Sequence, residues 1–336
     1  MYSKILTTTI ILILFSTAVH AEQDKTIAQL INDLEDLKPA SAEKYSEIND
    51  IKEKTLLFLY GMEREKVDPD VNKFVYAVKT FIINFDSTYQ LTTGNTPQDH
   101  KNAVDIASVI QKSAGDLRNV FQSSYVLNKN EPKKVVELAE SLTKKFLIDE
   151  GNHFKTLADK EKVTPIKIEY IEYGIKAYNL AGENTFSLEK ELEDLNSKFK
   201  EDLNIAEIET LEGDNLFNES EGRKNSPIVL GLFGLLNANA HINEAIGKYE
   251  SAEKIYVDNG FNLEHCPPDY KDLYNEVNKK KNNAIESASF ITLRLMMSYG
   301  IFITIITILL ILFIRGYINQ RKDLMDTQLN KVLKRK

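Results

Sequence analysis

The sequence predicts an all-α fold, and three observations carry the prediction. Helix breakers are scarce: 8 Pro and 14 Gly in 336 residues, of which 27% are charged. That balance favours long amphipathic helices over strands and turns. Apolar residues recur at steps of three and four, as in Ala103, Ala107, Ile110, Ala114, Leu117 and Phe121, and again in Leu188, Leu192, Leu195 and Phe199. This period lays one apolar stripe along a helix. Finally, a capping residue precedes proline at Asp68-Pro69, Thr96-Pro97, Thr164-Pro165 and Ser226-Pro227. The side-chain oxygen accepts from free N–H groups and the ring fits the first helical position. Apolar runs such as Phe81-Ile82-Ile83 lie inside longer helical patterns rather than alternating as a strand does.

Taken in order, residues 1–21 have the layout of a signal peptide: Lys4, an apolar stretch from Ile5 to Val19, and small residues at Val19 and Ala21 before Glu22. The apolar run is short for a bilayer span; an uncleaved signal anchor is the alternative. Residues 22–211 form an exported helical domain with helices starting near 41, 68, 96, 131, 164 and 187. Ser41 and Ser187 supply caps without proline, and Glu131-Pro132 is a weaker start. Gly115, Gly151-Asn152, Gly174 and Asn237-Ala238-Asn239 are candidate breaks, and 92–96, 128–131 and 182–185 candidate loops. The stretch 212–226, rich in Gly, Asn and Glu, reads as a polar linker or loop. Within it Asn218-Glu219-Ser220 matches the N-glycosylation acceptor pattern. Residues 227–290 read as a helical hairpin unit opening near 226. Helix starts spaced this way fit either α-solenoid-like hairpins or a long helical bundle.

Residues 295–314 are twenty in a row without a charge, long enough at ~1.5 Å per residue to cross a ~30 Å hydrocarbon core. A single-pass, integral membrane helix is the expectation, since a core helix rarely lacks polar residues on every face. Seven Lys/Arg and two Asp between Arg315 and Lys336 give the tail a charge of +5. Arg294 and the run Lys279-Lys280-Lys281 flank the other side, so the bias places residues 315–336 in the cytoplasm. Tyr299 and Tyr317 stand near the two interfaces. Gly300, Thr304 and Thr307 share one face of the span, and this face admits a homodimer.

One segment, 226–258, resembles a tetratricopeptide-like helical repeat. Ala245, Tyr249 and Ala252 match the small–aromatic–small triplet of that motif's second helix, and Val229, Leu232 and Leu236 fall near its first-helix positions. Phe233 stands where a small residue belongs, with Gly231 and Gly234 close by, and Val257 where the closing proline belongs. Gly174, Tyr178 and Ala181 repeat the triplet alone. The resemblance covers about one repeat and implies protein binding through stacked hairpins.

Net charge is −8. With +5 in the tail and one positive charge each at Lys4 and Arg294, the region from Glu22 to Leu293 is left with −15. An acidic surface of this kind argues against nucleic acid as a partner. The lone Cys266 has no internal disulfide partner. Glu150-x-x-His153 puts two potential ligands on one helix face, but a di-iron bundle needs a second copy and two more Glu, and His241-x-x-Glu244 runs in reverse. Asp68-Pro69-Asp70-Val71-Asn72 starts like a calcium loop, yet Lys73 and Lys79 occupy its glycine and glutamate positions. His265-Cys266 are neighbours in sequence, whereas a nucleophile and its base meet from distant positions. No catalytic set, cofactor or metal is therefore assigned. The sequence reads as a non-enzymatic protein-interaction or scaffold module of the cell envelope, with a ligand-binding or sensor subunit as the alternative and an envelope enzyme third.

Overall fold

The computed structural model describes residues 25–62, 67–227 and 231–333, with side chains followed no further than Met325. The signal-peptide segment 1–21 lies outside the described residues. Among them every regular element is helical. The chain divides into two compact units, one of Met1–Glu161 with Lys167–Glu193 and the other of Lys162–Ile166 with Asp194–Lys336.

The first unit contains α1 (Ile27–Glu35), a 3₁₀ turn (Ala40–Glu43), α2 (Glu47–Tyr60), α3 (Pro69–Thr92), α4 (Pro97–Ile106), α5 (Ser108–Ser123), α6 (Asn130–Lys160) and most of α7 (Thr164–Ala181). It also holds the opening residues of α8 (Phe186–Arg223). Helices α2 and α5 pack on α6, and α3 packs on α5. At the centre Phe85 is fully buried, its ring 5.4 Å from Tyr45, 5.5 Å from Phe146 and 6.0 Å from Phe81. Edge-on and tilted rings at such spacings add to the burial energy.

Two predicted starts hold to the residue. The Asp68 carboxylate accepts from the Asp70 N–H at 2.8 Å ahead of Pro69, and Thr96 and Asp99 form a reciprocal capping box around Pro97. Others shift. Ser41 lies inside a 3₁₀ turn: its N–H is taken by Asp86 Oδ1 at 2.7 Å, and its carbonyl accepts from the Lys44 N–H three residues on. A full helix starts only at Glu47. The apolar stripe from Ala103 to Phe121 is two helices, not one: at Ala107 the N–H reaches back three residues to Val104 and the backbone tightens. Gly151-Asn152 does not break α6. Position 151 is glycine because the Tyr178 ring of α7 fills the space a Cβ would need, 2.8 Å away, while the Tyr178 hydroxyl donates to Asn152.

The second unit is a three-helix bundle of the rest of α8, α9 (Leu232–Asp258) and the first part of α10 (Pro268–Leu333). Its buried positions follow a seven-residue repeat: Phe199, Ala206, Gly213 and Ser220 on α8, and Val277, Ala284, Ile291 and Ser298 on α10. On α9 the steps alternate three and four through Leu235, Ala238, Ile242, Ala245, Tyr249, Ala252 and Tyr256. Such a repeat is the coiled-coil seam. The bundle is closed at one end by Phe199, Tyr256, Phe261 and Tyr270, whose rings stand 5.1–6.2 Å apart. Here Gly260 turns the chain at φ +79°, pressed on Lys162 and Val163.

The predicted linker 212–226 is corrected by this seam: α8 runs unbroken to Arg223. Its polar residues Glu212, Asn215, Asn218 and Glu219 are a solvent face, and its inward positions are the small Gly213 and Ser220. The boundary between units falls at Glu193–Asp194, and the 227–290 hairpin is two strands of a three-helix unit. Ser226-Pro227 stands just before residues that are not described, with the Ser226 carbonyl held by Arg294; the next described helix, α9, begins at Leu232. The repeat resemblance is corrected likewise. Leu232 and Leu236 share one helix with Tyr249, and the small residue against that ring is Gly213 of α8.

Candidate functional site

A group of buried titratable side chains in the first unit lies where α4 meets α6. Pro97 and the Thr96 cap fix the start of α4, so that one turn later His100 enters the interior. It is 6% exposed, and its Nδ1 stands 2.7 Å from Oε2 of Glu150, itself 1% exposed. One turn along α6, His153 stacks on His100 with ring centroids 3.7 Å apart. When Glu150 is ionised it can only accept, so Nδ1–H of His100 donates. His100 Nε2 is buried without a hydrogen-bond partner. Next to Glu150, Asp149 accepts from the Tyr45 hydroxyl at 2.9 Å. Burial, then the Asp149 charge, pushes that phenol far above its ordinary range. Lys101 extends the seam: its ammonium pairs with Glu169 at 2.6 Å and lies over the rings of Tyr170 and Tyr173.

His153 is half-buried, and its pKa is lowered, first by desolvation, then by His100 and Lys44, with Glu150 opposing. The unfolded chain therefore binds a proton that the folded chain resists. Stability contributed by neutral His153 is complete above the ordinary imidazole value of 6.5 and is lost as pH falls from there towards the lower folded pKa. Lowered carboxylates such as Asp33 and Glu47 act further down, below their ordinary values of 3.8 and 4.5. We expect the melting temperature to drop between about pH 7 and 5, and His153→Phe to flatten that drop. Equal slopes for both proteins would show that His153 is not the group responsible.

Glu150 and His153 thus share a face as their spacing predicts, but the third member, His100, comes from a helix fifty residues away. No group of three or more His, Cys, Asp or Glu among the described residues is arranged to hold a metal ion. His241 lies 3.4 Å from Glu219. Cys266 is buried, its thiol pKa raised by desolvation. Asn218 is exposed on α8, while Ser220, two residues on, is buried and donates to the Ala238 carbonyl at 2.9 Å. The expected exposed loop around it is a helix.

In the second unit, Gly300, Thr304 and Thr307 lie on an exposed part of α10, beside Met297, Ile301 and Ile305. Both threonine hydroxyls donate to carbonyls one turn back at 2.8 Å, leaving no unmet donor on that face. The α10 helix is long and apolar enough to cross a membrane, and only 6% of its most apolar window is buried. A core helix would be mostly covered.

These features define an all-α protein of two helical units, the second running into a candidate membrane span. No family model, curated protein or solved structure matches the chain.

Proposed function

We propose that the protein is a single-pass, membrane-anchored helical scaffold of the cell envelope, with the first unit and the three-helix bundle outside the cytoplasm and a protein as partner. The observation that carries this reading is α10 itself. It is a strand of the bundle as far as Ser298, then continues without a break and is exposed at every residue from Tyr299 to Met325. Exposed Ile, Leu and Phe in an unbroken uncharged stretch are stable in lipid and costly in water.

Charge supports the orientation. The +5 tail follows the span, whereas on the other side Lys280 pairs with Asp214 at 2.8 Å and Lys281 with Glu253 at 2.5 Å. The protein-binding half of the proposal draws on exposed apolar groups of the first unit. Leu57 and Tyr60, one turn apart on α2, are 59% and 58% exposed, and Tyr125 is 93% exposed. A sensor reading is favoured by one feature, the enclosed imidazole pair of His100 and His153.

Protease added to intact cells is expected to remove the first unit and the three-helix bundle and to spare a fragment containing 295–336. Crosslinking on the same cells is expected to join the first unit to another protein. Recovery of the intact chain from cytosol would refute the anchoring, and crosslinks confined to the chain itself would refute the partner.

A further inference from the structure

The segment just past α8, at Asn225-Ser226, lies at the end of the bundle where the uncharged part of α10 begins. Arg294 fixes it there: its guanidinium donates to Asn225 Oδ1 and to the Ser226 carbonyl, both at 3.0 Å. The antiparallel register of α9 and α10 is set by Asn239 and Thr292, whose side chains are 3.4 Å apart. Phe233 lies six residues before Asn239, so it is level with the position six residues after Thr292, which is Ser298. That serine is 3% exposed, so α10 is still covered at this level. At this level α10 is already about 5 Å past Leu295, the first residue of the uncharged stretch.

Phe233 is 80% exposed. A single exposed phenylalanine is ordinary on a soluble surface, but its surroundings are not. From Asn225 to Asn243 there is no Asp, Glu, Lys or Arg, in a chain with 27% charged residues. Leu232 and Leu236 flank Phe233 and are only partly covered. A helix end this apolar, level with the start of a lipid-crossing helix, meets the same solvent as that helix.

We infer that the first turn of α9, led by Phe233, inserts into the interfacial layer of the bilayer. The protein then touches lipid at two places, a span and a shallow aromatic wedge. This rests on the single-pass reading above. The occupant is lipid, because the exposed ring stands level with the start of the α10 surface that the same lipid would cover. Two contacts fix the tilt of the bundle on the membrane, which one helix alone leaves free. Aromatic rings favour this depth.

The chain has no Trp, so one substitution makes a clean reporter. Full-length Phe233→Trp, Tyr299→Trp and Val257→Trp would each be placed in phosphatidylcholine vesicles with lipids brominated high on the acyl chains. Val257 is 40% exposed near the far end of α9, and none of the three sites is a core position. Strong quenching of Phe233→Trp and Tyr299→Trp, with Val257→Trp unquenched, is the expected result. Quenching of Tyr299→Trp alone overturns the wedge and leaves the span standing. If Tyr299→Trp is itself unquenched, the single-pass reading fails and the wedge with it.

Discussion

A chain carrying Ile303→Lys and Ile306→Lys is expected to lose its membrane anchor. Both positions lie near the middle of 295–314, and both side chains are exposed along α10, at 62% and 42%. A lysine at the centre of a bilayer helix costs about 2.5–3.5 kcal/mol on the insertion scale, and each lost isoleucine forfeits a further ~0.3–0.6. The pair therefore costs about 6–8 kcal/mol, more than snorkelling from the centre restores. Flotation with liposomes reads the outcome, with residues 1–21 removed from all samples so that only α10 can anchor. The parent chain should float and the double variant should stay at the bottom. Leu324→Lys, beyond the uncharged stretch, should float like the parent. Flotation of the double variant would mean that lipid is not the solvent of 295–314.

What the sequence made legible was local. Asp68-Pro69 and Thr96-Pro97 start helices because cap and ring act within one turn, and the uncharged stretch after Arg294 is its own signal. Two features escaped for tertiary reasons. The seam of α8 is built from Ala206, Gly213 and Ser220, residues small enough for close helix approach. Small residues carry little hydropathy, so a coiled-coil strand resembled a polar linker. A search for small residues at sevenfold spacing would have found it, in Ala206, Gly213 and Ser220 on α8 and Ala238, Ala245 and Ala252 on α9. The His100–Glu150 contact joins positions that only the packing of α4 on α6 brings together, and no local pattern marks His100. Gly151 misled in the opposite way. Glycine weakens a helix by ~1 kcal/mol relative to alanine, which reads as a break, yet here the missing Cβ is what admits the Tyr178 ring.

Gly213 makes the same bargain in the second unit, and Gly213→Leu is expected to destabilise it by about 3 kcal/mol, the upper end of the overpacking range. A Cβ at 213 would lie 2.8 Å from Cε1 and 3.0 Å from Cδ1 of Tyr249. The ring has no easy escape. Tyr249 is 1% exposed, and its hydroxyl donates to Asp214 Oδ1 at 2.7 Å, where Asp214 also receives Lys280. Moving the ring therefore loosens a hydrogen bond and an ion pair as well as a packed contact. Gly247→Ala is the contrasting case: nothing lies within 4 Å of its Cβ position. Only helix propensity acts there, and stability should rise by about 0.5–1 kcal/mol. Adding Tyr249→Ala to Gly213→Leu decides the cause, because contacting residues couple and distant ones add. A cavity at 249 gives the leucine room, so the double variant should be more stable than the sum of the two single losses predicts. Strict additivity would show that Gly213 is needed for a reason other than the approach of Tyr249.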